Sequence, residues 1–143
     1  MFPFAGIPAV AFARALGTPD PAYTGPGPEL RAHPTYCVRF HGRRPYPDRL
    51  PTGLEYRRGM DAGKDVEFGV PIRPGDRVTV SAVVQDLYEK TGRSGPMVIV
   101  VIRFVLCNQR SETVAVIDNR FIHRGTAGAP SPGGAVSVGS VDW

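Results

Sequence analysis

Met97–Cys107 reads M-V-I-V-V-I-R-F-V-L-C, a run in which only Arg103 is charged. Side chains that are apolar at odd and even positions alike, and largely β-branched, belong to a strand covered on both faces, at the centre of a sheet. On its N-terminal side Arg77–Tyr88 alternates. Val78, Val80, Ala82 and Val84 share one face, and Thr79, Ser81 and Gln85 the other, the period of a half-buried strand. Between the two, Glu89–Pro96 holds two glycines and reads as a hairpin loop. Downstream, Asn108–Glu112 turns the chain and Thr113–Arg124 forms another strand. Upstream, Asp65–Val70 sets Val66, Phe68 and Val70 on one face, and Pro71–Asp76 supplies the P-x-x-P-G-D pattern of a turn. From residue 54 onward the pattern is an antiparallel meander of about four long strands.

The first 53 residues have a different character. Ile7–Leu16, I-P-A-V-A-F-A-R-A-L, is a helix with proline in its first turn, Phe12 and Leu16 four apart, and Gly17 to stop it. Thr18–Pro28 is too rich in proline and glycine for regular structure. Prolines at 34, 45, 47 and 51 then exclude any long helix before residue 51, leaving Tyr36–His41 as the one short element. A single short helix is little cover for the apolar face of such a sheet, so pairing with another chain is expected.

Composition narrows the class. With 143 residues, 42% apolar and 21% charged, the chain is a globular α+β domain over residues 1–124. Residues 125–143, rich in Gly, Ala, Ser and Pro, read as a tail or linker. The 17 glycines and 15 prolines favour turns over long helices. No apolar stretch reaches the roughly 18 residues of a membrane span, and the N-terminus lacks the basic start of a secretory signal. Cys37 and Cys107 have neither zinc-ligand nor C-x-x-C spacing and read as reduced core thiols. A cytoplasmic protein without a metal is expected.

Arginines dominate the net charge of +4. Arg31, Arg39, Arg43, Arg44, Arg49, Arg57 and Arg58 face only Asp48 and Glu55 within residues 31–58. Guanidinium groups suit phosphate or carboxylate partners, so a phosphate-bearing ligand, nucleic acid, an acidic protein surface and plain solvated charge all remain open at this point.

Three stretches carry a resemblance. They are F-A-R-A-L-G-T-P-D-P-A-Y (Phe12–Tyr23), E-F-G-V-P-I-R-P-G-D-R-V-T-V (Glu67–Val80), and Y-E-K-T-G-R-S-G-P-M-V-I-V (Tyr88–Val100), followed by N-Q-R-S-E (Asn108–Glu112). In this order they resemble the MaoC-like enoyl-CoA hydratases and dehydratases of the hot-dog fold, in particular their FAS1-like N-terminal half. The resemblance implies an antiparallel sheet wrapped around a central helix. Here C-V-R-F-H-G-R-R-P-Y-P-D-R-L-P, with Gly42, Pro45, Pro47 and Pro51, occupies the place of that helix. A short N-terminal helix and a degenerate or missing central helix are therefore expected.

The family's G-D-x-N-P-x-H motif supplies an aspartate and a histidine that activate water. This chain has Thr18 and Tyr23 in those places. Neither side chain is a base near neutral pH, so no catalytic residue is assigned, and Asp20 is expected to serve the turn. The segment R-A-H-P-T-Y (Arg31–Tyr36) resembles a stretch that lines the family's pocket, and none of His33, His41 and His123 has an evident carboxylate partner. The resemblance implies a non-catalytic, pocket-forming subunit of a heteromeric enoyl-CoA hydratase, with a heterotetramer as a candidate assembly. A MaoC-like partner would supply Asp and His, and the substrate would be a bulky 2-enoyl-CoA such as a steroid side-chain thioester. CoA enters as part of the substrate, with no other cofactor. Tyr23, Tyr36, Phe40, Tyr46 and Tyr56 are candidate pocket residues, and Arg43 and Arg44 candidate partners of the CoA phosphates. Two other readings remain, a basic small-barrel module that binds nucleic acid and a hot-dog interaction domain without ligand.

Overall fold

The computed structural model describes residues 6–40, 59–124 and 138–142. Helix α1 (Gly6–Ala15) is followed by a one-turn helix α2 (Pro21–Thr24) and a 3-10 segment (Pro34–Phe40). Strands β1 (Met60–Phe68), β2 (Thr79–Gly92), β3 (Gly95–Cys107), β4 (Thr113–Arg124) and β5 (Val138–Asp142) complete the chain. All five strands join one antiparallel sheet in the order β1-β4-β3-β2-β5.

β3 is the central strand, as its composition requires. Val98, Val100, Ile102, Phe104 and Leu106 form the core face and are all but inaccessible to water, while Ile99 and Val101 are buried on the opposite face. Arg103 points to that second face. It grips Asp118, its cross-strand neighbour on β4, through two hydrogen bonds of 2.8 and 2.7 Å, which hold the Asp118 carboxyl below its ordinary value. The core face continues onto β2 through Val80 and Ala82 and onto β4 through Ala115, Ile117 and Phe121.

The sheet is not a simple meander. β2, β3 and β4 follow one another, but β1 pairs with β4 at the far edge instead of with β2. The connecting segment 69–78 contains Pro71 and Pro74, which have no N–H to give to a ladder, and it crosses the end of the sheet. There it binds the β3–β4 turn: the buried Asp76 accepts from Arg73 N–H at 2.8 Å and from Gln109 Nε2 at 2.9 Å, and Arg77 N–H donates to Gln109 Oε1 at 2.9 Å. Asn108 Oδ1 closes the turn by accepting from the N–H groups of Arg110 and Glu112. The P-x-R-P-G-D and N-Q-R-S-E stretches are thus two halves of one joint.

Several local expectations change. The β2–β3 loop is only Arg93-Ser94, because Gly92 and Gly95 already pair and Gly95 takes the left-handed φ of 105° that a tight hairpin needs. Helix α1 buries Ala9 and Ala13, with Phe12 half-buried beside them, whereas Leu16 lies beyond the last turn and is exposed. Gly17, at φ 74°, ends that helix, with Gly17 N–H on Arg14 O and Thr18 N–H on Ala13 O. Thr18–Pro28 is not wholly irregular, since Asp20 caps α2 by accepting from Ala22 N–H at 2.8 Å, with Pro21 at the first helical position. The short element expected at Tyr36–His41 is the 3-10 turn Pro34–Phe40. Within the stretch read as a tail, residues 138–142 pair with β2 as an edge strand. The proline-rich region expected in place of a central helix lies, from residue 41 on, outside the described residues. No helix among the described residues is long and apolar enough to cross a membrane.

His123, near the end of β4, lies on the core face with Nε2 buried and without a hydrogen-bond partner among the described residues. Val98 is opposite it, and Glu89 lies one strand further along the row. Burial pushes the imidazole below its ordinary 6.5. As pH falls through that value, the unfolded chain takes up a proton that the folded chain refuses. Folding is therefore most favoured above it and weakens toward acid until the depressed folded value is passed. Urea midpoints between about pH 8 and about pH 5 should fall more steeply for the wild type than for His123→Leu; equal slopes would mean that the folded ring protonates freely.

Candidate functional site

A cleft opens where α2, the segment 31–34, the end of β1 at Phe68 and the crossover residues 69–72 meet. Its walls are tied together by backbone hydrogen bonds. Arg31 N–H donates to Ala22 O at 3.0 Å, Ala32 N–H to Ile72 O at 2.8 Å, and Gly69 and Val70 N–H to Val114 and Thr113 O at 2.9 Å each. The R-A-H-P-T-Y segment is thereby held against the crossover, and the N-cap at Asp20 sets the turn that carries Tyr23 into the same space.

Phe68, Val70, Ile72 and Val114 make the apolar wall, and Tyr23, Arg31 and His33 stand on the polar side. The Tyr23 and His33 rings meet edge to face with centroids 5.1 Å apart, and the Arg31 guanidinium carbon lies 5.3 Å from the Tyr23 ring centroid. Thr35 approaches His33 Nδ1 twice, through Oγ1 at 2.9 Å and the backbone N–H at 3.4 Å. Cys37 closes the inner end. It is a free, buried thiol whose pKa is raised by burial, an inert arrangement. No carboxylate stands among the described lining residues, and no cluster of His, Cys, Asp and Glu suited to a metal ion occurs among the described residues. The cavity has a volume of about 100 Å³, small beside the roughly 300–1,000 Å³ of a complete ligand pocket.

The residues singled out in the sequence fall into three groups. Tyr23 lines the cleft. Tyr36 and Phe40 do not: Tyr36 is buried, packs edge to face with Phe12 at 5.3 Å and Phe40 at 5.8 Å, and accepts a hydrogen bond from Arg39 at 3.0 Å. They are core aromatics that seat the 3-10 turn. Arg43, Arg44, Tyr46 and Tyr56 lie outside the described residues, as does His41. Thr18 is half-buried and Asp20 exposed, with Asp20 engaged in the cap. Arg31 and His33 join Tyr23 at the site although neither was a candidate. The signal for them was the position of R-A-H-P-T-Y; Thr35 is a partner for His33 within that stretch, whereas the Tyr23 ring that both meet is reached only through the fold.

A family model described as FAS1-like, dehydratase domain region, matches residues 9–117. UPF0336 proteins of Streptomyces avermitilis and Streptomyces coelicolor are each 28% identical over 90 residues, 57% of this chain and 60% of their own length. The match thus spans about three-fifths of these curated relatives. Among solved structures, the ChsH1–ChsH2 complex from Mycobacterium tuberculosis superposes with a TM-score of 0.69 at 19% identity, covering 90% of this chain and 83% of that one. A MaoC-like dehydratase from Rhodospirillum rubrum gives 0.61 at 20% identity, with 87% and 88% covered. The HadBC (3R-hydroxyacyl-ACP dehydratase) complex of Mycobacterium tuberculosis gives 0.61 at 17% identity, with 85% and 88% covered.

Proposed function

From the premise that this chain belongs to the FAS1-like dehydratase family and has the MaoC-like hot-dog fold, we propose that it is the pocket-forming, non-catalytic subunit of a heteromeric enoyl-CoA hydratase. The observation that carries this reading is the chemistry of the cleft. Hydration of a 2-enoyl thioester bonds the water oxygen to C3 and delivers a proton to C2, so a base and an acid must both reach the double bond. Thr18 and Tyr23 stand where the family motif has Asp and His, and the described lining residues include no carboxylate to pair with His33. A second hot-dog subunit supplies the missing pair.

Two further observations support the reading. The cleft is a partial pocket, one wall of apolar residues with donors along one side, which a facing subunit would complete. Two of the structures that share the fold, ChsH1–ChsH2 and HadBC, are complexes of unlike chains. The proposed substrate is a CoA thioester of a bulky acyl group, a steroid side chain among the candidates, with CoA as part of the substrate and the reaction placed in the cytoplasm.

The test is turnover of a panel of 2-enoyl-CoA thioesters by the chain alone, by a MaoC-like subunit that retains Asp and His, and by the two together. Hydration that is absent with the chain alone, and for bulky acyl groups rises at least about ten-fold on mixing, is the expected result. Turnover by the purified chain alone would overturn the non-catalytic assignment.

A further inference from the structure

His33 is held in a way that the reading above leaves unused. Thr35 N–H is directed at Nδ1 from 3.4 Å and Thr35 Oγ1 lies 2.9 Å from the same nitrogen, and the tautomer that accepts both at Nδ1 carries its ring proton on Nε2. Nε2 has no partner among the described residues, and His33 lines the cleft. The ring is fixed from the side as well, by the edge-to-face contact with Tyr23, whose own face is covered by Arg31. An imidazole oriented by these contacts in the lining of a cleft, with no partner for Nε2 among the described residues, is suited to act as a preorganised donor.

The surroundings select what it donates to. The side chains with donor hydrogens on the polar side, from Tyr23, Arg31 and His33, face no carboxylate among the described lining residues, so the ligand group here is an acceptor. The rest of the wall is Phe68, Val70, Ile72 and Val114, which suits an acyl chain and gives a phosphate group nothing in return for its lost water.

The geometry points to His33 Nε2–H as the donor that holds the acyl carbonyl oxygen of the thioester, so that this subunit polarises the substrate while its partner moves the protons. This rests on the hydratase reading and deepens it. When water adds at C3, negative charge passes through C2 onto the thioester oxygen. A donor already in place there stabilises that charge without reorganising.

The probe is S-crotonyl-N-acetylcysteamine, 13C-labelled at the carbonyl, titrated into the full chain labelled with 15N on histidine. Expected are concerted shifts of the His33 Nε2 resonance and the carbonyl carbon, both saturating at one probe concentration. His33→Phe keeps the ring contact with Tyr23, and it should abolish the carbonyl shift and weaken binding roughly three- to ten-fold, the size of one net hydrogen bond. His33→Gln, which restores an N–H donor, should recover part of both. A His33 resonance that does not respond to the thioester overturns the inference, as does a response that inorganic phosphate reproduces, since that would mark an anion site. Hydration by the mixed subunits with a silent His33 removes this inference alone. A responding His33 without turnover in any mixture removes the hydratase reading and leaves a carbonyl-binding cleft.

Discussion

Gly69→Ala is expected to destabilise the protein by about 3 kcal/mol, the upper range for forcing one extra methyl into a close-packed site. Gly69 opens the crossover at the point where it leaves β1 and lies against β4, with its N–H on Val114 O and the next N–H on Thr113 O. A Cβ there would overlap the Thr113 carbonyl oxygen and sit 2.9 Å from the Thr113 carbonyl carbon. Both are backbone atoms of a paired strand, so no side chain can swing aside, and relief means lifting the crossover from β4 and breaking both bonds. Because Gly69, Val70 and Val114 all line the cleft, the same shift widens the site. Urea unfolding should show the loss, and amide exchange of Val70 should accelerate more than that of central-strand residues such as Val100. A variant within about 1 kcal/mol of the wild type, with Val70 still protected, would mean that the crossover does not approach β4 so closely.

Asp76→Ala is the second large effect, with an expected loss of about 3 kcal/mol from removing a buried ionised acceptor. Asp76 is 4% exposed and receives Arg73 N–H at one oxygen and Gln109 Nε2 at the other, with Arg110 Nη1 3.6 Å away. Alanine leaves these donors facing a gap and unties the crossover from the β3–β4 turn. Asp76→Asn should recover only part of the loss: its carbonyl can serve Arg73, but its amide then meets the Gln109 amide donor to donor. Thermal unfolding gives a direct check. At this chain length a 3 kcal/mol loss lowers Tm by roughly 6–12 °C, and equal midpoints for the alanine and asparagine variants would show that the second oxygen contributes nothing. The P-x-R-P-G-D stretch then has a structural role, and its aspartate is not a reagent.

The strands themselves were legible because each carries its own period. Val78, Val80 and Ala82 alternate with polar neighbours, and Met97–Cys107 is apolar throughout, so local spacing alone identifies which is half-buried and which is central. The expectation that Thr18 and Tyr23 stand in place of an acid–base pair comes from a motif, which is likewise a local pattern. The order of the strands was not. Four similar strands joined by short turns look like a meander, and nothing near Asp65–Phe68 indicates that it pairs with β4, some fifty residues later. The same limit applies to the aromatics: Tyr36 and Phe40 sit in a stretch that resembles a pocket wall, and only the fold shows that Tyr36 packs edge to face between Phe12 and Phe40.

Residue type and spacing established a small α+β protein with an antiparallel sheet and the place where helix α1 stops. Those properties depend on neighbours within a few positions along the chain, where backbone geometry leaves few alternatives. The tertiary structure decided that β1 crosses to the far edge and that Asp76 binds Gln109 across 33 residues. It also decided that Tyr23, Arg31 and His33 share a cleft with Ile72 and Val114. Each of these depends on which distant segments come to lie together, and the free energy that chooses among such pairings belongs to the packed core as a whole, not to any one stretch of sequence.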